Sequence, residues 1–174
     1  ELIINGGEFK SCEPAAGLAG TTCKVQNLFY NTPARRKFLK KPETEQAVIN
    51  SMMRRFMLSR PNVEFKITSN NKVVYHVPIQ SLSERIIAIY GTAFTKGILP
   101  INLKKELYTV SGFTGNLSLV KKRQGEQYIF LNGRYIKNRL LNSAIFSAYQ
   151  SLIQRGEFPF YVLFLEMPVD NYDV

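Results

Sequence analysis

Two apolar periodicities alternate along this chain, and they limit its fold more than any other feature. In residues 42–59 the apolar side chains recur three and four positions apart, which predicts an amphipathic helix beginning at Pro42. Residues 63–69 and 73–77 are instead rich in β-forming side chains and flank Asn70-Asn71, which predicts a hairpin. Because strand-like and helix-like segments continue to alternate after these, we expect an α/β (α+β) fold.

The remaining segments complete the predicted order. Residues 1–5 are expected to form a strand closed by Gly6-Gly7, and a second strand is expected within 20–28. Ser81 and Glu84 have the spacing of a capping box, which predicts a helix ending at Gly91. Strands are then predicted over 98–103, 107–115, 126–132, 135–136 and 158–167, and a helix over 138–155. A domain boundary is expected within 78–92.

The chain is strongly basic, with 23 Lys and Arg against 13 Asp and Glu and a net charge of +10. One cluster of cations occupies 34–41, and we assign Arg54, Arg55 and Arg60 to it. A second cluster runs from Lys121 to Arg139 and is opposed by Glu126 alone. Solvated surface charge explains either cluster by itself equally well. Two such clusters together favour a positive field, which attracts phosphate backbones.

The sequence offers few residues for metal binding or acid–base catalysis. No aspartate occurs before Asp170, which argues against metal sites built on aspartates. The single histidine, His76, lies in a strand-like run, and the spacing of Cys12 and Cys23 matches no zinc motif. We therefore predict no catalytic residue and no metal site in this chain, and a reduced protein of the cytosol. The apolar run 160–165 is far shorter than a membrane helix requires, so no membrane partner is expected.

Three segments carry a family resemblance. Gly20-Thr21-Thr22 could approach a phosphate, although alone it is more typical of a turn. It is followed, over residues 27–39, by the uninterrupted run NLFYNTPARRKFL, which resembles the signature of the MutL family of DNA mismatch repair proteins. Residues 125–136 (GEQYIFLNGRYI) and 169–174 (VDNYDV) are similar to later segments of that family, in the same order.

The resemblance implies an architecture and an activity. Residues 1–78 would be the trailing part of a GHKL-type ATPase mixed sheet, 79–91 a connecting helix, and 92–174 most of a ribosomal-S5-like transducer domain. The intact protein would bind ATP and Mg²⁺. The family's catalytic glutamate, DxGxG loop and lid do not occur in this sequence, so we expect the chain alone to hold no cofactor and to be inactive.

The resemblance also implies roles for particular residues. Gly20 and Thr21 would contact nucleotide phosphate. DNA would be bound, with little sequence preference, by Lys121, Lys122, Arg123, Lys137 and Arg139. Arg35 and Arg36 would either bind DNA or brace the contact between domains. The nearby aromatic residues Phe29, Tyr30 and Phe38 could stack on bases, but packing into the core is the favoured interpretation.

The implied partners are DNA, a second copy through N-terminal dimerisation, and a mismatch-recognition protein. The implied location is the bacterial cytoplasm, or the nucleus of a eukaryote. Two alternatives remain open at this point: a stand-alone S5-like module that binds nucleic acid, and a piece of another GHKL protein of the topoisomerase or chaperone type.

Overall fold

The computed structural model describes residues 2–5, 8–14, 16–17 and 19–171 of the chain. The chain divides into two compact units, Glu1–Lys41 and Pro42–Val174. The regular elements of the first unit are the antiparallel strands β1 (Leu2–Asn5) and β2 (Glu8–Cys12) and the short helix α1 (Pro33–Arg36). Glu1, Gly6-Gly7 and residues 172–174, on which parts of the predictions fall, lie outside the described residues.

The strand predicted within 20–28 is wrong. Residues 21–26 have no regular secondary structure, and Asn27 and Phe29 have positive φ angles of 50° and 63°, which no extended strand adopts. A strand is held by ladder hydrogen bonds to a neighbour, and none of the described strands pairs with this segment.

The second unit contains most of the regular structure. Its helices are α2 (Pro42–Ser59), α3 (Leu82–Tyr90) and α4 (Arg139–Tyr149). Its strands are β3 (Phe65–Ser69), β4 (Lys72–Val77), β5 (Ile98–Lys104), β6 (Thr109–Gly115), β7 (Gln127–Leu131), β8 (Arg134–Ile136) and β9 (Tyr161–Glu166). Strands β3 and β4 form the predicted hairpin, and the bounds of α2 are those predicted. His76 lies in β4 as predicted, with its Nε2 2.9 Å from Oε1 of Glu64.

Five strands form one mixed sheet in the order β5-β6-β9-β7-β8. Neighbouring strands are antiparallel except for the central pair, β7 and β9, which is parallel. A parallel pair needs a long crossover connection, and here that connection contains β8 and α4. The sheet therefore places the start of α4 directly after the edge strand β8.

The core of the second unit is largely aromatic. Phe94 and Phe160 meet edge to face, with ring centroids 4.8 Å apart, and Phe130 stacks on Phe164 at 4.9 Å. The buried hydrophobic cluster of this core comprises Leu58, Ile86, Phe94, Leu119, Tyr128, Phe130, Phe160 and Val162. Aromatic side chains bury more apolar area per residue than aliphatic ones, so a small set of residues holds α2 and α3 against the sheet.

One buried cation belongs to this core. The Arg85 guanidinium is fully enclosed and donates hydrogen bonds to the carbonyl oxygens of Met57, Pro61, Val63 and Pro78 at 2.7–3.0 Å. Burial lowers its pKa. The four carbonyl groups belong to the end of α2, to the segment before β3 and to the segment after β4. Arg85, on α3, therefore links these parts of the second unit.

The capping box predicted for α3 is confirmed. The Ser81 hydroxyl accepts a hydrogen bond from the Glu84 amide, and the Glu84 carboxylate accepts one from the Ser81 amide at 2.9 Å. The pKa of Glu84 is lowered by the hydrogen bonds that its carboxylate accepts from Ser81, first from the hydroxyl at 2.6 Å and then from the backbone amide. Gly91, with φ of 98°, ends the helix as expected.

Two helix predictions need correction. The second long helix ends at Tyr149 rather than Arg155, because Leu152 in the following turns is mostly exposed and the apolar stripe gains no burial there. On α2, the apolar face predicted from helical spacing is only partly buried: Met52 and Phe56 are each about half exposed, and within this helix only Met57 and Leu58 are fully buried. Among the described helices, none combines the length and apolarity needed to cross a bilayer.

Candidate nucleic-acid interface

The start of α4 presents a cation at a well-formed helix end. Asn138 is the N-cap, and its Oδ1 accepts a hydrogen bond from the Leu141 amide at 3.0 Å. Arg139, the first helical residue, is exposed, and Lys137 immediately before the cap is exposed as well. Free amide groups and the helix dipole make such an end favourable for an anion, and Arg139 adds a full positive charge.

The loop before β7 supplies further cations. Lys122 and Arg123 are exposed, whereas Lys121 is tied to its surroundings. The Lys121 ammonium lies 2.6 Å from Oε1 of Glu126, and its backbone forms a two-way bridge with Phe158 at 3.0 and 2.7 Å. The charge of Lys121 is therefore shared with a carboxylate, and Lys122 and Arg123 are the stronger candidates in this loop.

A cavity of about 310 Å³ joins these two segments. It is lined by Ser51, Arg55, Gln124, Gly125, Gln127, Tyr128, Tyr135, Ile136, Lys137 and Asn142. Gln124, the neighbour of Arg123, thus lines the same recess as Lys137, although 13 positions separate the two in the sequence. No acidic residue is among those that line it. Of the cations in the second cluster, only Lys137 lines this cavity, so the prediction that the cluster forms one basic surface and contacts DNA stays a prediction.

Arg55, like Arg54 and Arg60, lies in the second unit, and its surroundings could not be read from the sequence. It was assigned to the cluster of 34–41, but it lies in the second unit, where its guanidinium stacks 4.3 Å above the centroid of the Tyr135 ring. Its Nε is buried and has no hydrogen-bond partner among the described residues. Helical spacing alone does not show which strand α2 packs against.

The adjacent Arg54 has a different environment. Its guanidinium is 3.5 Å from the Tyr75 hydroxyl, and the Tyr90 hydroxyl donates a 2.8 Å hydrogen bond to that of Tyr128. Burial works to lower the pKa of Arg54, but the nearby tyrosines outweigh it and raise the pKa. Arg54 therefore keeps its charge among tyrosines and is not part of the cavity lining.

The first basic cluster is built differently. Arg35 and Arg36 lie on the four-residue helix α1 and are exposed. The interpretation that Tyr30 and Phe38 pack into a core is wrong, since their side chains are 75% and 83% exposed. Whether Arg35 and Arg36 bind DNA or brace a domain contact remains a prediction.

The Gly20-Thr21 segment lies in the first unit and is exposed. Gly20 has a φ of 142°, a conformation that side chains rarely adopt, so glycine is required there. Within the described residues, no three His, Cys, Asp or Glu side chains gather into a group that could hold a metal ion. Contact of Gly20 and Thr21 with nucleotide phosphate stays a prediction.

Comparison with solved structures defines the class of protein. A structure described as the N-terminal domain of a DNA repair protein matches 83% of this chain and 49% of its own chain, at a TM-score of 0.68 and 20% identity, which shows a shared fold. The Aquifex aeolicus MutL ATPase domain complexed with ADP matches 83% of this chain and 51% of its own, at a TM-score of 0.61 and 28% identity. The fold is thus the α/β fold of the GHKL ATPase region found in DNA repair proteins.

Comparison of sequences identifies the family. Residues 86–174 match the family model described as "DNA mismatch repair protein, C-terminal domain". The DNA mismatch repair protein MutL of Parabacteroides distasonis is 38% identical over 173 residues, covering 99% of this chain and 28% of that protein. MutL of Clostridium perfringens is 38% identical over 175 residues, covering 100% of this chain and 26% of that protein. The chain belongs to the MutL family of DNA mismatch repair proteins, and it spans about a quarter of the length of these relatives.

Proposed function

We propose that this chain is the part of a MutL-like mismatch repair protein that holds DNA by its phosphate backbone. The observation that carries the proposal is the start of α4, where exposed Arg139 and Lys137 flank the Asn138 cap. Lys122 and Arg123 are exposed in the loop before β7, next in sequence to Gln124, which lines the cavity together with Lys137. Long exposed cations at the ends of elements suit contact with phosphates, which fixes position without reading bases.

The proposal includes coupling to ATP. The protein would bind ATP with Mg²⁺ and dimerise through its N-terminal region when ATP is bound. Gly20 and Thr21 would contact a nucleotide phosphate, while the metal ligands and the general base come from family motifs that this sequence does not contain. We infer that the closed state holds DNA and signals to a mismatch-recognition protein, in the cytoplasm of a bacterial cell. The support for this coupling is family membership.

The test compares DNA binding by the chain and three variants, measured by fluorescence anisotropy on a short duplex across a salt series. We expect Arg139→Glu to weaken binding and to flatten the dependence of log K on log salt by about 0.9 for each phosphate that is no longer neutralised. The matched control is Lys66→Glu, a charge reversal at an exposed position of β3. Circular dichroism should be the same for all, since Arg139 contributes nothing to the core.

The third variant is Arg36→Glu, on the first basic cluster. If Arg139→Glu binds as tightly as the unmodified chain while Arg36→Glu does not, DNA binding belongs to residues 35–41 and the assignment to α4 is wrong. If the preference among duplex sequences exceeds a few-fold, the backbone mode of binding is contradicted, because phosphate contacts carry no sequence information.

A further inference from the structure

We infer that the cavity between α2, β8 and the loop before β7 is a binding site for a phosphate group. Its volume of about 310 Å³ is at the lower end of the range for small-ligand sites. Two of its lining residues, Arg55 and Lys137, are cations, and none is acidic. The inference extends the proposed function and rests on it in part, because Lys137 belongs to both sites.

The uncommitted hydrogen-bonding groups of the cavity are mainly donors. Oδ1 of Asn142 accepts a hydrogen bond from the Tyr161 hydroxyl at 2.5 Å, which leaves its amide NH₂ to donate. Both ends of Gln127 are used, since Oε1 accepts from the Gly125 amide and Nε2 donates to the Pro159 carbonyl, each at 2.8 Å. What remains is the Arg55 guanidinium, the Lys137 ammonium, the Asn142 NH₂, the Ser51 and Tyr135 hydroxyls and the Gln124 amide. Each of these groups can donate a hydrogen bond, and an oxyanion accepts them.

The positive charge of the cavity is not cancelled by the nearest carboxylate. Glu126 lies between two lining residues in the sequence but is not itself part of the lining. Its Oε1 is paired with the Lys121 ammonium at 2.6 Å. Among the described residues no ion pair involves Arg55 or Lys137. An anion entering the cavity would therefore meet two cations whose charges are available.

Arg55 is held in place before any ligand binds. The stacking of its guanidinium on Tyr135 fixes the plane of the group, and its buried Nε finds no hydrogen-bond partner in the described part of the chain. Fixing a side chain in advance reduces the entropy lost on binding, so a preorganised arginine binds phosphate more tightly than a mobile one. Arginine is also suited to phosphate because its donors match two oxygens at once.

The phosphate could be a phosphodiester of DNA or a free phosphate compound, and the experiment has an arm for each. In the first arm, inorganic phosphate is titrated into the ¹⁵N-labelled chain. The amides of Gly125, Gln127 and Asn142 should shift in a saturable way, and Arg55→Met should weaken this binding by about tenfold or more. In the second arm, duplex DNA is titrated, and Arg55→Met should reduce the salt slope by about 0.9, the value for one phosphate.

The matched control is Lys66→Met, which removes one charge from an exposed position of β3. If Arg55→Met fails to fold because the stacking on Tyr135 is lost, Lys137→Met reports on the same cavity from an exposed position.

The outcomes separate the cavity from the DNA surface. The inference is overturned if phosphate shifts none of the cavity amides and neither cavity variant changes DNA binding beyond the control, even where Arg139→Glu weakens it. Cavity shifts with phosphate that duplex DNA does not displace would support a free phosphate compound as the ligand. Saturable cavity shifts in a chain that does not bind DNA would retain the phosphate site and contradict the proposed function.

Discussion

The two basic clusters look alike in sequence, but the helices that carry them differ in length and in capping. In Glu1–Lys41, Arg35 and Arg36 lie on a four-residue helix whose N-cap, Thr32, makes no side-chain capping hydrogen bond to the described residues. In Pro42–Val174, Arg139 opens an 11-residue helix that is capped by Asn138 and follows an edge strand of the mixed sheet. The difference teaches that charge density does not make a site: the cations of the second unit are positioned by a core, and those of the first are not.

The largest effect is expected at Arg85. Replacing it with leucine (Arg85→Leu) removes a donor from four carbonyl oxygens and leaves those of Met57, Val63 and Pro78 without one, while that of Pro61 keeps the Gln80 amide. An enclosed acceptor without a partner costs about 1–3 kcal/mol, so we expect the free energy of unfolding of the second unit to fall by about 3–9 kcal/mol. Urea denaturation followed by tyrosine fluorescence would measure it.

The matched control is Arg36→Leu, since Arg36 is an exposed arginine of the first unit. It should change the unfolding free energy by no more than about 0.5 kcal/mol. Equal losses of unfolding free energy in Arg85→Leu and Arg36→Leu would contradict the contrast between a buried arginine of the second unit and an exposed one of the first.

A smaller effect is expected at two glycines. A Cβ at Gly112 in β6 would lie 2.1 Å from the Val162 carbonyl oxygen, and the residue has a φ of 126°. Gly112→Ala should therefore destabilise the sheet by about 3 kcal/mol, through combined overlap and backbone strain. At Gly17 in the first unit a Cβ meets no described atom within 4 Å, so Gly17→Ala should be close to neutral. Thermal unfolding by circular dichroism compares the two, and a neutral Gly112→Ala would show that β6 and β9 can separate freely.

The smallest effect is expected at the helix caps. Asn138→Ala removes the hydrogen bond to the Leu141 amide and should cost about 1 kcal/mol of unfolding free energy. Thr32→Ala should cost less than about 0.5 kcal/mol, because it removes no capping hydrogen bond within the described part of the chain. Urea denaturation tests this pair: if the m-values of the two variants are equal, the shifts of their midpoints report the losses in unfolding free energy. A larger loss from Thr32→Ala would mean that α1 is supported more firmly than its geometry indicates.

Much of the second unit could be predicted from its residues, because its signals are local. The bounds of α2, the capping box of Ser81 and Glu84, and the Asn138 cap are confirmed, and all depend on neighbours within one or two turns. The family could also be recognised from residues 27–39, since a long uninterrupted run needs no structure to be read. The prediction of a strand within 20–28 was wrong because a strand depends on a partner from elsewhere in the chain, which local signals do not reveal.

The candidate site was only partly predictable. Arg139, Lys137 and the loop cations were named from the sequence, but the ion pair of Lys121 with Glu126 and the position of Arg55 were not. Arg54 and Arg55 are adjacent in sequence, yet one is surrounded by tyrosine hydroxyls and the other lines the cavity. Successive helical residues point about 100° apart, so which neighbour each one meets depends on how α2 packs against β8.

By itself, the sequence determined the charge of this protein, the starts of its three longer helices with the caps at Ser81 and Asn138, and its membership of the MutL family. Composition, short-range spacing and motif identity can be read without the tertiary structure. Only the tertiary structure decided that Lys137, Gln124 and Arg55 share one cavity and that Arg85 is a buried junction. Those relations join residues tens of positions apart, and the burial of the aromatic core brings them together. Without that burial, the same cations would be solvated surface charge.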